Sequence, residues 1–198
     1  MRGGSAPGMG GANLGLIEKG RYYPMPQMSM QTPQDLFVHE LSDMLSAEQI
    51  ILQTLTEGQQ LVQNPQIQQG MQKHQQETEQ QIQNLQQAFQ QLGAQPHPIT
   101  CHAAAGLRQS LQDVVASQPS PEVLEGAVVA GMAKTEHLEI AGYTGLVKKA
   151  QAMGQQEVAQ LLQQNLQQEE ATLQRVERVG EQLTQQMAAT SPEMAATR

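Results

Sequence analysis

From Thr32 to Leu183 the apolar residues recur every three or four positions, the spacing of one face of an α-helix rather than the alternation of a strand. Leu36, Phe37, Leu41, Met44, Leu45, Ile51, Leu52 and Leu55 trace the first stripe. It opens at Thr32-Pro33-Gln34-Asp35, which supplies an N-cap, a proline in the first turn and an acid to close a capping box. The stripe predicts a helix to about Gln63, where Asn64-Pro65 starts a second one carrying Ile67, Met71, Ile82, Leu85, Phe89 and Leu92. Gly93 ends that helix, and Pro96 and Pro98 keep it from resuming. A shorter helix fits Cys101 to Ser117. Ser120-Pro121-Glu122 then opens a third long helix to about Met153, and past Gly154 a fourth carries Val158, Leu161, Leu162, Leu166, Leu173, Val176 and Leu183. Ser191-Pro192 starts at most one frayed turn.

Linkers this short within the first pair of long helices, and within the last pair, force antiparallel hairpins. The hairpins are joined by a longer segment that holds the short helix. The pattern therefore predicts an all-α chain, an antiparallel four-helix bundle of ferritin-like connectivity over residues 32–187. Residues 1–31, rich in Gly, Pro, Met and Ser with no period, read as a flexible tail. Tyr22, Tyr23, Met25, Met28 and Met30 give that tail an alternative role in docking on the body or on a partner not identified by the sequence. Residues 188–198 read as a C-terminal tail.

Composition narrows the function. The chain has 198 residues, a formal charge of −8 and no dense basic cluster beyond Lys148–Lys149, which argues against nucleic-acid binding. One cysteine builds no internal disulfide framework. No run reaches the roughly 18–20 apolar residues of a membrane span, and the N-terminus has no signal-like apolar stretch. The expectation is a cytoplasmic protein with no membrane partner.

Against this background, acidic residues interrupt all four long stripes. Glu48 lies between Leu45 and Ile51, His74 and Glu77 between Met71 and Ile82, Glu136 and Glu139 between Met132 and Tyr143, and Glu169 between Leu166 and Val176. Glu48 and Glu77 stand about 15 and 13 residues from the first hairpin turn, and Glu139 and Glu169 each about 15 from the second, a mismatch of only about 3 Å along the axis. Each hairpin thus presents two carboxylates at one level. Inward carboxylates and imidazoles from four helices are how bundles hold two iron or manganese ions. The usual Glu-x-x-His pair is absent; the nearest equivalents are His74-x-x-Glu77, and Glu136-His137 with Glu139. The alternative is that these acids snorkel to water at the edge of the stripe. His97, Cys101 and His102 match no zinc spacing, and no phosphate loop or Gly-x-Ser-x-Gly elbow is present. Tyr143, one turn past Glu139, is a donor to a ligand, a redox-active phenol or ordinary packing.

The strings TPQDLFVHELSDMLSAEQIILQTL, HQQETEQQIQNLQQAFQQLG, CHAAAGL, AKTEHLEIAGYTGL and AQLLQQNLQQEEATL together resemble the YciE/YciF family of small bacterial ferritin-like stress proteins. The resemblance implies a bundle that commonly dimerises and a carboxylate-rich centre for two iron or manganese ions. Its matching positions are Glu48, His74, Glu77, Glu136, His137, Glu139 and Glu169. Gln76, Ala105, Gln109, Ser110, Gln167 and Gln168 stand where acids are usual. The function expected is oxidation of Fe(II), or peroxide removal, in stress protection. The alternative is a metal-free structural or interaction bundle that dimerises or docks a partner through its tail.

Overall fold

The computed structural model describes residues 16–18, 21–23 and 30–190. Within the segment expected as a tail, strands β1 (Leu16–Glu18) and β2 (Arg21–Tyr23) pair antiparallel, Ile17 opposite Tyr22. Residues 1–15, 19–20 and 24–29, with Met25 and Met28, and the Ser191-Pro192 turn lie outside the described residues.

Five helices follow: α1 (Pro33–Gly58), α2 (Pro65–Leu92), α3 (His102–Ala116), α4 (Pro121–Ala152) and α5 (Gln156–Thr190). Their starts are chemical. Thr32 Oγ1 accepts from the Asp35 N–H at 3.1 Å while the Asp35 carboxylate accepts from the Thr32 N–H at 2.9 Å. Asn64 Oδ1 accepts from the N–H of Gln66 and Ile67, and Ser120 Oγ from that of Val123. Gly93 (φ 62°) ends α2 in the left-handed conformation that a side chain would disfavour. Replacing Asn64 with Ala should cost about 1 kcal/mol of stability, read from a lower urea midpoint at unchanged slope.

Helix α1 stops at Gly58, five residues before the expected end. The Glu125 carboxylate of α4 accepts from the N–H groups of Gln63 and Asn64 at 3.0 and 2.8 Å, so backbone groups of the linker are satisfied across the bundle rather than along α1. Leu36, expected on the first stripe, is 42 % exposed. It sits in the opening turn, where Phe37 and Val38 take the inward positions.

The long helices form a ring in which α1 packs on α2, α2 on α5, α5 on α4 and α4 on α1; α3 lies across α1 and α4. Phe37, Leu41, Leu85, Leu146 and Leu162 fill the interior with essentially no exposure. The extended segment before α3 is pinned to α1, with the N–H of His97 and of Cys101 donating to Ser42 Oγ and Ser46 Oγ. Cys101 is buried and unpaired. Among the described residues no helix is long and apolar enough to cross a membrane.

Candidate metal centre

Helical periodicity decides which polar side chains enter the ring. On α4, Glu136, Glu139 and Tyr143 follow one another at i, i+3 and i+7, and all three face inward with no exposure. On α5, Asn165, Glu169 and Thr172 share the inward face, and on α2 His74, Thr78 and Gln81 do the same. Helix α1 contributes Glu48, also without exposure. Five ionisable ligand-type side chains, Glu48, His74, Glu136, Glu139 and Glu169, therefore meet in the interior from all four long helices.

Their ligand atoms lie close together. His74 Nδ1 lies 3.2 Å from Glu136 Oε1, and His74 Nε2 3.8 Å from Glu169 Oε2. Ligand atoms of His74, Glu136, Glu139 and Glu169 all fall within 4.8 Å of one another, and these four residues could hold a metal ion. Glu48 adjoins them through its electrostatic coupling to Glu169 and Glu139.

The hydrogen bonds divide the acids into two kinds. Tyr143 donates its hydroxyl proton to Glu48 Oε1, and the Gln81 side-chain amide donates to Glu169 Oε1. No amide, hydroxyl or backbone N–H reaches Glu48 Oε2, Glu169 Oε2, either oxygen of Glu136 or Glu139, or either ring nitrogen of His74; these groups face only one another, Glu48 against Glu139 and Glu136 against Glu169. Buried polar atoms are normally paired with a donor, and this cluster of acids without one could accommodate a cation. Oxygen and imidazole donors fit divalent iron or manganese.

Burial shifts the titration of every member. Desolvation, reinforced by Glu169, pushes Glu136 up to about 11. Desolvation raises Glu48 and Glu139 well above the usual carboxylate range, and raises Glu169 too. His74 is lowered to about 4 by desolvation and by the Arg175 charge. Without a cation, burial therefore favours the protonated form of these acids.

Two expected residues stand apart. Glu77 sits one turn from His74 at the rim, its carboxylate 2.5 Å from Arg175 Nη2, 3.1 Å from Thr172 Oγ1 and 3.6 Å from Lys73 Nζ. Three donors hold it outside the cluster. His137 is exposed, because the position after Glu136 turns about 100° away from it. Gln81, Asn165 and Thr172, which the sequence did not single out as site residues, are brought in.

An apolar cleft between α1, α3 and α4, lined by Ile51, Leu55, Leu107, Val128 and Met132, reaches His74. Its cavity volume of ≈ 40 Å³ suits water, dioxygen or peroxide, far below the roughly 300–1,000 Å³ of pockets for larger organic ligands.

Comparison with known proteins places this geometry. Residues 32–189 match a family model described as a domain of unknown function, DUF892. Protein YciF of Escherichia coli K12 is 33% identical over 146 residues, which is 73% of this chain and 88% of YciF. The crystal structure of that E. coli stress protein superimposes with a TM-score of 0.76 at 30% identity, covering 79% of this chain and 99% of YciF. YcfI of Rhodopseudomonas palustris, named as a candidate structural protein, gives 0.73 at 32% identity, covering 77% and 98%. A Xanthomonas campestris protein shares the fold at 22% identity, with a TM-score of 0.61. The match along nearly the whole helical body, in sequence and in architecture, makes this chain a member of the DUF892 family and a YciF-like protein.

Proposed function

We propose that this protein binds two divalent iron or manganese ions in the interior of its bundle and uses them to oxidise Fe(II) or to remove peroxide in stress protection. The observation that carries the reading is the convergence of Glu48, His74, Glu136, Glu139 and Glu169 in the interior, with six of their carboxylate oxygens lacking any amide, hydroxyl or backbone donor. Those six oxygens and one imidazole nitrogen make a donor set rich enough for a pair of ions. Bound iron or manganese would supply one-electron redox chemistry toward dioxygen or peroxide. The chain's own residues supply the rest: the acids take up charge, Gln81 and Tyr143 orient two of them, and the closed interior keeps bulk water out. The small apolar cleft favours an oxidant of two non-hydrogen atoms over an organic substrate. Glu77, held by Arg175, and His137, on the outer surface, are left out of the ligand set.

Protein purified without chelator should carry close to two equivalents of iron or manganese by elemental analysis. A Glu48→Ala/Glu169→Ala double variant should carry almost none. The same preparation should size as a homodimer by light scattering, in keeping with a cytoplasmic protein whose body is residues 32–187. A second reading, a metal-free structural bundle, is favoured by the description attached to YcfI. It gains if wild-type protein contains no transition metal and its melting does not respond to Mn(II).

A further inference from the structure

We propose that Tyr143, oriented by Asn165, is a positioning residue that commits Glu48 to metal binding through a single oxygen, Oε2. The inference rests on the metal reading above and adds to it a role for two residues outside the ligand set.

The argument starts from a group whose polarity is beyond choice. The backbone carbonyl of Gln81 only accepts, and the side-chain amide of Asn165 approaches it at 3.3 Å. The Asn165 face toward that carbonyl must therefore be the NH2. Its oxygen then points the other way, where the Asn84 amide donates to it at 2.7 Å, and Asn84 in turn accepts from Gln80 at 3.1 Å. The remaining proton of the Asn165 NH2 goes to the Tyr143 oxygen at 3.0 Å. With a donor already on that oxygen, the one phenolic proton has Glu48 Oε1 as its partner.

The chain of direction thus runs from a fixed carbonyl to a fixed carboxylate. If Glu48 donated instead, the Tyr143 proton would face an NH2 and be left buried and unpaired, an arrangement proteins avoid. Asn165, Tyr143 and Glu48 are all within the sealed interior, so water does not scramble the order. Glu48 Oε1 is spent on Tyr143, and Oε2 receives no amide, hydroxyl or backbone donor, its carboxyl facing only that of Glu139. Glu136 and Glu139 have no such donor and keep both oxygens. Since His74, Glu136, Glu139 and Glu169 suffice for one ion, the ion that depends on Glu48 is the second.

The test uses the full chain and Mn(II) alone. Wild-type protein should take two Mn(II) and give the exchange-coupled paramagnetic resonance spectrum of a dinuclear site. Tyr143→Phe should keep the first ion but bind the second 10–100-fold more weakly, as loss of a ligand-orienting group does. At sub-saturating metal its spectrum should be the six-line pattern of isolated Mn(II), while circular dichroism of the metal-free protein is unchanged. Asn165→Ala, which leaves the phenol but frees it to turn, should weaken the second ion in the same way; it decides the matter should Tyr143→Phe fail to fold. Two ions with unchanged affinities and a coupled spectrum in the folded variants would overturn the positioning role and leave the metal reading standing. No Mn(II) bound by wild type would overturn the metal reading and this inference together.

Discussion

Replacing Glu136 with Gln should make the metal-free protein more stable at pH 7, by about 3 kcal/mol, although it removes a native buried side chain. The reason is the proton that the folded state must hold. An unfolded Glu has a pKa near 4.5, whereas in the bundle Glu136 is pushed up to about 11. Between those values the native state binds a proton that the unfolded state releases, so stability falls as pH rises. At pH 7 the gap is about 2.5 units, and each unit is worth about 1.4 kcal/mol. For a chain of this size that corresponds to a melting temperature roughly 6–12 °C higher. Near pH 4 the two proteins should melt almost alike, because Glu is protonated in both states. His74 acts in the opposite sense, adding stability as pH rises from about 4 to 6.5, but it does so in wild type and variant alike. Calorimetry in chelator at pH 4, 7 and 9 checks this. A stabilisation that is the same at every pH would mean that packing, not protonation, is responsible.

The same arithmetic makes the second large effect. With Glu48, Glu139 and Glu169 also raised by burial, the cluster weakens the metal-free fold further as pH rises. A cation that displaces those protons offsets the cost. Mn(II) at about 100 times its dissociation constant should stabilise the wild type by about 2.7 kcal/mol per ion, or roughly 5–11 °C. Because the ligands must shed protons, the effect should grow from pH 6 to pH 8. Titration calorimetry in two buffers of different ionisation heat would count the protons released. With Glu136 removed from the four-residue ligand cluster the variant should bind no Mn(II), so the order of melting temperatures should invert: Glu136→Gln above wild type in chelator, wild type above Glu136→Gln in Mn(II). A wild type whose melting ignores Mn(II) while Glu136→Gln gains its stability would leave the acids buried for some purpose other than metal.

How far the site was legible follows from the chemistry of each helix. On α4 and α1 the acids stand among Leu, Ile and Met, so Glu48, Glu136 and Glu139 are conspicuous, and all three are inside. Helix α2 is different. Gln occupies every face of it, so nothing in the spacing separates the buried Gln81 from its exposed neighbours. Whether His74 or Glu77 faces inward depends on the rotation of α2 by about a sixth of a turn, and the pattern of Ile67, Met71 and Ile82 tolerates either. Asn165 was visible only as one polar residue in an apolar row, and the value of Thr172 depends on Arg175 reaching across to Glu77.

Local signals were enough to determine the number of long helices, their starts at Thr32, Asn64 and Ser120, the hairpin pairing and the level at which acids recur, because caps, prolines and a 3.6-residue period act within a few residues of themselves. Only the tertiary structure decided which of those acids meet. That choice depends on how one hairpin is rotated and raised against the other, which is set by packing summed over the whole ring of α1, α2, α5 and α4. The polarity of the Asn165–Tyr143–Glu48 chain was likewise out of reach, since it begins at a backbone carbonyl on one hairpin and ends on a side chain brought to it by another helix.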